Sequence, residues 1–493
     1  MGPEEAIGED RPYYLFEDEG HRSFVVVSGS DRMEAIVAYG EGSLTEGTMN
    51  PGVAYWLECL AERVRELEED PDSPCELSMQ KHTVVEPLLG PIEWGQGYPY
   101  NILCPNWTPA GCTATAMAQV IYYYRYPTQG SGWHTNRNAQ ITVNFSDESY
   151  DYDLMLPTMS ELIDNATAHR EVAKLMLHCG VLCNVVYDES GSSAVPLEGM
   201  NGMINHFDYD PDARSFNREM FTRAEWDEML TNELTNDRPI IYSAFKEEDG
   251  GHCFVLDGVD EYGLYHVNWG WNGWCNGYFS IDVLDPYGGQ NGYSRAAQAL
   301  VQLAPRGSLK NPRYYGALTS SYGSVMFLSK PTSAGDVFAF APLGVENISC
   351  EEVTAKLGMA FVRNGQTAAY AMNDSVICFG PVSEDGGFTS LAFAEGLNVT
   401  MPELEDGDYE VKFCAKIASG RHAGKISFFT LNPLWTRPYT CSVRSGLVSL
   451  YSEWDPATCI ETLSLPQKKR DKLKGYDLCG RRTPLTPFRG RDE

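Results

Sequence analysis

The segment PAGCTATAMAQVIYYYRYP, residues 109–127, sets one thiol, Cys112, behind a glycine and ahead of a run of small helix-compatible residues. A free cysteine is usually a small buried hydrophobe. At the first turn of a helix, however, unpaired N–H groups and the macrodipole favour the thiolate, which is the nucleophilic form. A thiol used this way needs a base that titrates near neutrality, and histidine is that side chain. Of the nine histidines, His252 in DGGHCFVLDG stands apart, because it opens an apolar strand after two glycines, where backbone and substrate can approach closely. The stretch YHVNWGWNGWCNGYF then sets Asn268, Trp269 and Trp271 on the next strand. The Asn268 oxygen is expected to accept the imidazole N–H, with Trp269 excluding water from that bond. Gln96, between glycines in EWGQGYPYN, precedes the thiol. Its amide, paired with the Cys112 backbone N–H, can hold a developing oxyanion. Taken singly, each residue also reads as ordinary packing or a turn. Together they describe acyl transfer through a thioester.

These residues need elements to hold them. A chain of 493 residues is too long for one core, so two or three domains are expected. A hydrophobic fraction of 43% marks it as globular, and a net charge of −31 argues against a nucleic-acid partner. No apolar run approaches the roughly 20 residues that span a bilayer. The opening MGPEEAIGEDRP lacks the regions of a signal peptide, so the protein is expected to be intracellular or to have lost its signal. The 14 cysteines show no CxxC pair and no zinc-ribbon spacing, which argues against a structural metal. Cys179 and Cys183 in CGVLC share a helix face and read as core packing.

Short β-type runs fill PYYLFEDEGHRSFVVVSGSDRMEAIVAYG, and Trp56, Leu60, Val64 and Leu67 then repeat at helical spacing. This first unit carries net −13 over residues 1–81 and closes on EEDPDSP, a proline-broken linker. Residues 82–305 read as mixed: a helix from Cys112 to about Tyr124, helices in SELIDNATAHREVAKLMLHCGVLCNV and TRAEWDEMLTNELTND, then strands PIIYSAF, HCFVLDGVD, YHVNWGW and GYFSID. Residues 306–455 are strand-rich with regular turns, as in a β-sandwich. The tail, 456–493, is basic and Pro/Gly-rich.

The blocks WGQGYPYN, GCTATAMAQVIYYYRYP, GGHCFVLDG and YHVNWGWNGWCNGYFSIDVLDP, in this order and spacing, resemble those of the streptopain family of papain-fold cysteine peptidases, over roughly residues 10–305. The Cys112-to-His252 separation also falls within the roughly 130–150 residues of papain-like enzymes. The resemblance implies an α+β fold: a papain-like domain with a helical half and an antiparallel β half, a small α+β prodomain before it and a β-sandwich-like domain after it. It implies Cys112 as nucleophile, His252 as general base and acid, Gln96 as oxyanion donor, and Asn268 and Trp269 as support for the histidine. It makes YDESGSSAV, with Ser190, Gly191 and Ser192, a wall of the substrate cleft, which Gly251 and Trp271 complete around an apolar P2 side chain. Residues 1–81 then resemble an inhibitory propeptide, docked mainly by apolar burial, with maturation at Lys81–His82.

Two neighbours depart from the pattern. Cys253 follows the histidine where a small apolar residue is usual, and Cys104 precedes the nucleophile, so either thiol is a candidate to capture Cys112. The tail segment KLKGYDLCGRR faintly resembles a sorting signal of secreted Bacteroidetes-type proteins, without its usual ending. The leading expectation is a secreted or cell-surface zymogen of a cysteine endopeptidase, acting on proteins or peptides, inhibited by its own propeptide and needing no metal or cofactor. The alternatives are a catalytically silent adhesion protein that binds through its C-terminal β-domain, and a Cys/His amidase or transpeptidase acting on cell-wall peptides.

Overall fold

The computed structural model describes residues 11–45, 49–69, 81–162, 164–246, 250–284, 297–320, 325–342, 344–383, 387, 390–429 and 439–452, with a strand pair at 475–476 and 482–483. The chain divides into two compact units, residues 1–218 with 225–311, and residues 219–224 with 312–493. The linker EEDPDSP from residue 70 onward, and the basic tail apart from that strand pair, lie outside the described residues.

The first unit begins with an antiparallel meander, β1 (Tyr13–Glu17), β2 (Ser23–Ser28) and β3 (Ile36–Glu41). Along β2, Phe24 and Val26 point into the core, as a half-buried strand requires. Helix α1 (Pro51–Glu69) follows. Its start is fixed by Asn50, whose Oδ1 accepts from the N–H of Gly52 at 2.9 Å and of Val53 at 3.4 Å, while Pro51 supplies a preset φ. The stripe Trp56, Leu60, Val64 and Leu67 is buried as its spacing predicts.

Helix α2 (Cys112–Tyr124) comes next, ending where Arg125 turns left-handed. It is followed by a hairpin of β4 (Trp133–Asn136) and β5 (Ile141–Asn144), then α3 (Met159–Leu162), α4 (Ala166–Leu182) and α5 (Pro196–His206). The single helical stretch expected over 160–185 is in fact two helices, because Asn165 caps the second through its Oδ1 and the N–H of Ala168, 3.1 Å apart. After β6 (Arg214–Asn217) and α6 (Arg223–Thr235) come β7 (Ile240–Lys246), β8 (Gly250–Val259), β9 (Tyr265–Asn268), β10 (Gly277–Phe279) and β11 (Gln298–Val301).

These strands form one nine-stranded sheet, ordered β1-β2-β3-β10-β9-β8-β7-β11-β6. The N-terminal meander thus extends the sheet of the following region through β3 and β10, with Tyr39 opposite Tyr278. Helix α2 packs on β8 and is buried on nearly every side from Thr113 to Ile121, so its many alanines set how closely helix and sheet approach. Residues 306–311 belong to this unit, six residues beyond the boundary read from sequence. Arg306 pairs with Asp208 and Lys310 with Asp237, which ties the segment back onto the unit.

Among the described residues, the second unit has antiparallel strands in four sheets, one of them the pair at 475–476 and 482–483; in the largest, Val353–Arg363 pairs with Gly407–Ile417, which pairs with Tyr439–Arg444. Phe338, Leu357, Phe361 and Phe413 lie in its core, in the alternation of a sandwich. Among the described residues of the whole chain, no helix is long and apolar enough to cross a membrane.

A buried ion pair locks α6 to the sheet. Glu233 takes Arg238 through both oxygens, at 2.6 and 2.9 Å, and accepts the N–H of Gln302 at 2.7 Å. Removing the carboxylate strands a buried guanidinium. Glu233→Ala is therefore expected to cost about 3–5 kcal/mol, read as a lowered unfolding midpoint in urea; an unchanged midpoint would show the pair to be dispensable.

Candidate active site

Cys112 is the first residue of α2, and its sulfur meets the sheet at β8. Gly111 caps the helix at φ 94°, and a Cβ there would stand 3.2 Å from the carbonyl oxygen of Ser192, so only glycine lets the chain enter the helix beside that wall. Cys112 is half-buried. Burial pushes its thiol up, but a hydrogen bond to His252, the positive charge of that imidazole and the backbone N–H groups of Cys253 and Thr113 outweigh it, and the thiol lies below its ordinary range.

His252 lies near the start of β8 and is 8% exposed. Its Nε2 donates to the carbonyl oxygen of Trp269 at 2.9 Å, which leaves Nδ1 for the sulfur. The sequence reading expected the Asn268 oxygen to accept the imidazole N–H; the carbonyl of Trp269 accepts it instead. The Asn268 carboxamide accepts from Gln119 Nε2 at 3.2 Å and from the N–H of Gly270 at 3.1 Å, and donates to the carbonyl of Ile92 at 2.7 Å. Gln119 in turn accepts the N–H of Trp94 at 3.1 Å. Asn268 therefore ties three segments together beneath the site, and it holds the histidine only indirectly, through the backbone that carries Trp269. Gln119, on the buried face of α2, was not singled out from sequence; a glutamine amid alanines in an otherwise apolar helix was the available signal.

The Trp269 ring stacks near His252, centroids 6.1 Å apart, and Trp271 stands at 6.3 Å. Both tryptophans lie in the turn after β9 rather than on the strand expected for them. Gln96 is buried, and its carbonyl accepts the N–H of Ala110 at 2.9 Å, fastening its loop two residues before the nucleophile. Ser192 is buried and its hydroxyl donates to the carbonyl of Pro109 at 2.6 Å, while Ser190, Gly191 and Gly251 are exposed. The serine-glycine loop is thus brought beside the nucleophile's own segment.

The N-terminal segment, expected from sequence to be an inhibitory propeptide, reaches the same place through Gly52, a residue that sequence reading did not single out. A Cβ on Gly52, in the first turn of α1, would lie 2.8 Å from His252 Cδ2 and 2.5 Å from Trp269 Cε3. Helix α1 therefore begins against the imidazole. Asn50 Nδ2 donates to the carbonyl of Trp274 at 2.7 Å, Trp56 Nε1 donates to that of Ser280 at 2.7 Å, and the Tyr39 hydroxyl donates to Asp260 at 3.0 Å. Lys81 and His82 sit elsewhere. The N–H of His82 donates to the carbonyl of Glu261 at 3.1 Å, Lys81 pairs with the Glu261 carboxylate at 2.6 Å, and Val85 bridges Val259. They are held at the far end of β8 from His252, roughly 23 Å along the strand at about 3.3 Å per residue.

A thiolate stabilised by His252 stays reactive at pH values where an ordinary cysteine is protonated. Alkylation of Cys112 by iodoacetamide is expected to persist well below pH 8 and to fall as pH drops through the lowered pKa. In His252→Ala the profile should move toward that of a free thiol near pH 8.5. Superimposable profiles would remove the imidazole from the thiol's electrostatics.

Known proteins share this arrangement of segments. Residues 94–279 match the profile of the Peptidase C10 family, and residues 4–64 match that of the Spi protease inhibitor. Streptopain of Streptococcus pyogenes is 28% identical over 313 residues, 57% of this chain and 78% of that one. The thiol protease/hemagglutinin PrtT of Porphyromonas gingivalis is 27% identical over 330 residues, covering 60% of this chain and 37% of that one. Among solved structures, the prointerpain A fragment of Prevotella intermedia is 31% identical with a TM-score of 0.54, covering 61% of this chain and 98% of that one. A thiol at a helix start, a histidine on the facing strand and an inhibitor-like segment against that histidine agree with these likenesses: the chain belongs to the Peptidase C10 family and is a cysteine peptidase.

Proposed function

We propose that the protein is the secreted or cell-surface zymogen of an endopeptidase that cleaves proteins or peptides through a Cys112–His252 dyad. The contact between sulfur and imidazole at the start of α2 carries this reading. Cys112 thiolate attacks the scissile carbonyl. The oxyanion takes the N–H of Cys112 and the amide of Gln96, which act only as charge develops on that oxygen. His252 then gives its Nδ1 proton to the leaving amine, and a thioester remains. Water, deprotonated by His252, hydrolyses it and restores the thiol. The Nε2–H bond to the Trp269 carbonyl keeps the imidazole in the tautomer this requires. Ser190, Gly191, Ser192, Gly251 and Trp271 line the cleft and favour an apolar P2 residue.

In this reading residues 1–81 inhibit as the prodomain, with α1 set against His252 and β3 added to β10. A larger residue at 52 has no room beside the imidazole and the indole. Gly52→Val is expected to loosen the prodomain, so that the uncleaved chain hydrolyses peptide at a rate well above the wild-type zymogen; equal rates would mean that α1 does not guard the site.

Maturation at Lys81–His82 then occurs between molecules, because that bond is held far from its own dyad along β8. Wild-type chain is expected to yield a new N-terminus near His82 at a specific rate that rises with protein concentration. Cys112→Ala should remain intact alone and be cut when active enzyme is added. A concentration-independent rate would refute cleavage in trans, and equal fragmentation of both chains would refute self-processing.

A further inference from the structure

Cys253 follows His252 on β8 and is 3% exposed. Its backbone N–H donates to the Cys112 sulfur, and its own thiol is hydrogen-bonded to Thr113, the residue after the nucleophile. The Cys253 Cβ is two bonds from the nitrogen that touches the Cys112 sulfur. A disulfide needs its two Cα atoms close, roughly 4.4–6.8 Å apart, and the contact of the Cys253 N–H with the Cys112 sulfur sets the two residues side by side, so that joining them is a matter of turning side chains. The competing thiols are placed otherwise. Cys104, flagged from sequence, is buried in the loop eight residues before the nucleophile, and burial pushes its thiol up as it does that of Cys253. Cys183 is wholly buried and turns its sulfur to the carbonyl of Gly180 at 3.9 Å.

We propose that Cys112 and Cys253 form a reversible disulfide when the enzyme meets a peroxide, which protects the nucleophile from irreversible oxidation. The proposal rests on Cys112 being the reactive thiolate. In the first step the Cys112 sulfur attacks hydrogen peroxide, the O–O bond breaks, hydroxide leaves and a sulfenic acid forms, oxidising sulfur by two electrons. In the second, the Cys253 sulfur attacks that of Cys112, the S–O bond breaks, and the Cys253 proton leaves with the hydroxyl as water. Because Cys253 is held beside the sulfenic sulfur, its attack competes with a second peroxide, which would give the irreversible sulfinic acid. A dithiol returns both cysteines to thiols by two exchanges and becomes a disulfide itself. While bridged, the sulfur has no lone thiolate to attack a carbonyl, so the peptidase is off but not destroyed.

The test uses the full-length chain beside Cys253→Ser and Cys253→Ala, each normalised to its own Cys112 labelling by iodoacetamide before treatment. After a small excess of hydrogen peroxide, wild type should lose that labelling, give a Cys112–Cys253 cross-linked peptide in a non-reducing mass map, and regain labelling with dithiothreitol. In both variants the loss should not be reversed, and Cys112 should carry two added oxygens. Two substituents of different polarity, with unfolding midpoints measured, separate a folding defect from the loss of the partner thiol. The absence of the cross-link, a cross-link from Cys112 to any other cysteine, or equal recovery in the variants would overturn the proposal. Failure of Cys112 to label before oxidation would instead overturn its role as the nucleophile.

Discussion

The contact between α2 and β8 is the constraint on which everything else depends. The sulfur and the imidazole come from segments far apart in the chain, and no local bond joins them. They meet because a helix buried on nearly every side lies flat on a strand. Ala114, Ala116 and Ala118 are fully or almost fully buried, and their small side chains let the two backbones approach until the N–H of Cys253 reaches the sulfur. A close-packed interior transmits changes of even one methylene, so the helix surface sets the geometry of Cys112 against His252 as firmly as those two residues do themselves. The Gln119–Asn268 network adds direction to this contact. It joins α2, the segment carrying Gln96 and the turn carrying Trp269 through buried hydrogen bonds, each costly to leave unmade in a low dielectric.

The same sheet that presents His252 also receives the N-terminal segment. β3 completes the hydrogen bonds of β10, whose paired stretch is only Gly277–Phe279. A short edge is the kind that can be uncovered without inviting aggregation, which suits the release proposed for this segment. Beneath the strands, aromatic rings run from Trp56 through Phe279 to Trp269 and His252, with centroids 5.2, 5.0 and 6.1 Å apart. Helix α1 and the His252 imidazole therefore share one packed cluster. The inhibition proposed above needs no dedicated blocking side chain, since the helix start itself fills the space at the histidine.

What the sequence disclosed, and what it hid, follows from which interactions leave a chemical signature. A glycine, a cysteine and then alanines mark a helix start with a reactive sulfur, and α2 begins and ends where that pattern says. The partner of the imidazole was misread because an asparagine announces its hydrogen-bonding capacity, whereas the carbonyl that actually accepts, that of Trp269, is a group every residue has. Gly52 was silent for a related reason: beside Pro51 it reads as part of a helix cap, and only the fold reveals the ring that excludes a Cβ. Helix α5 escaped because PLEGMNGMINH carries two glycines and two asparagines, all weak helix formers, and it forms against tertiary surfaces instead. The first unit extends to residue 311 because Arg306 and Lys310 find carboxylates roughly 70–100 positions earlier, a distance no local pattern encodes.

Charge illustrates the difference between composition and contact. Residues 1–81 carry net −13, yet the groups by which they dock are a strand ladder, neutral hydrogen bonds from Asn50 and Trp56, and buried rings. The Tyr39 hydroxyl does meet a carboxylate, Asp260, but as a neutral donor. The ion pair of Lys81 with Glu261 is exposed, and such pairs contribute little, on the order of 0–1 kcal/mol. Burying the Trp56 side chain alone outweighs that, since a large apolar group is worth about 1.5–3 kcal/mol. Acidity at this density keeps a detached segment hydrated and apart from others of its kind. In the proposed maturation it keeps the released segment in solution, while the apolar and backbone contacts account for its hold before.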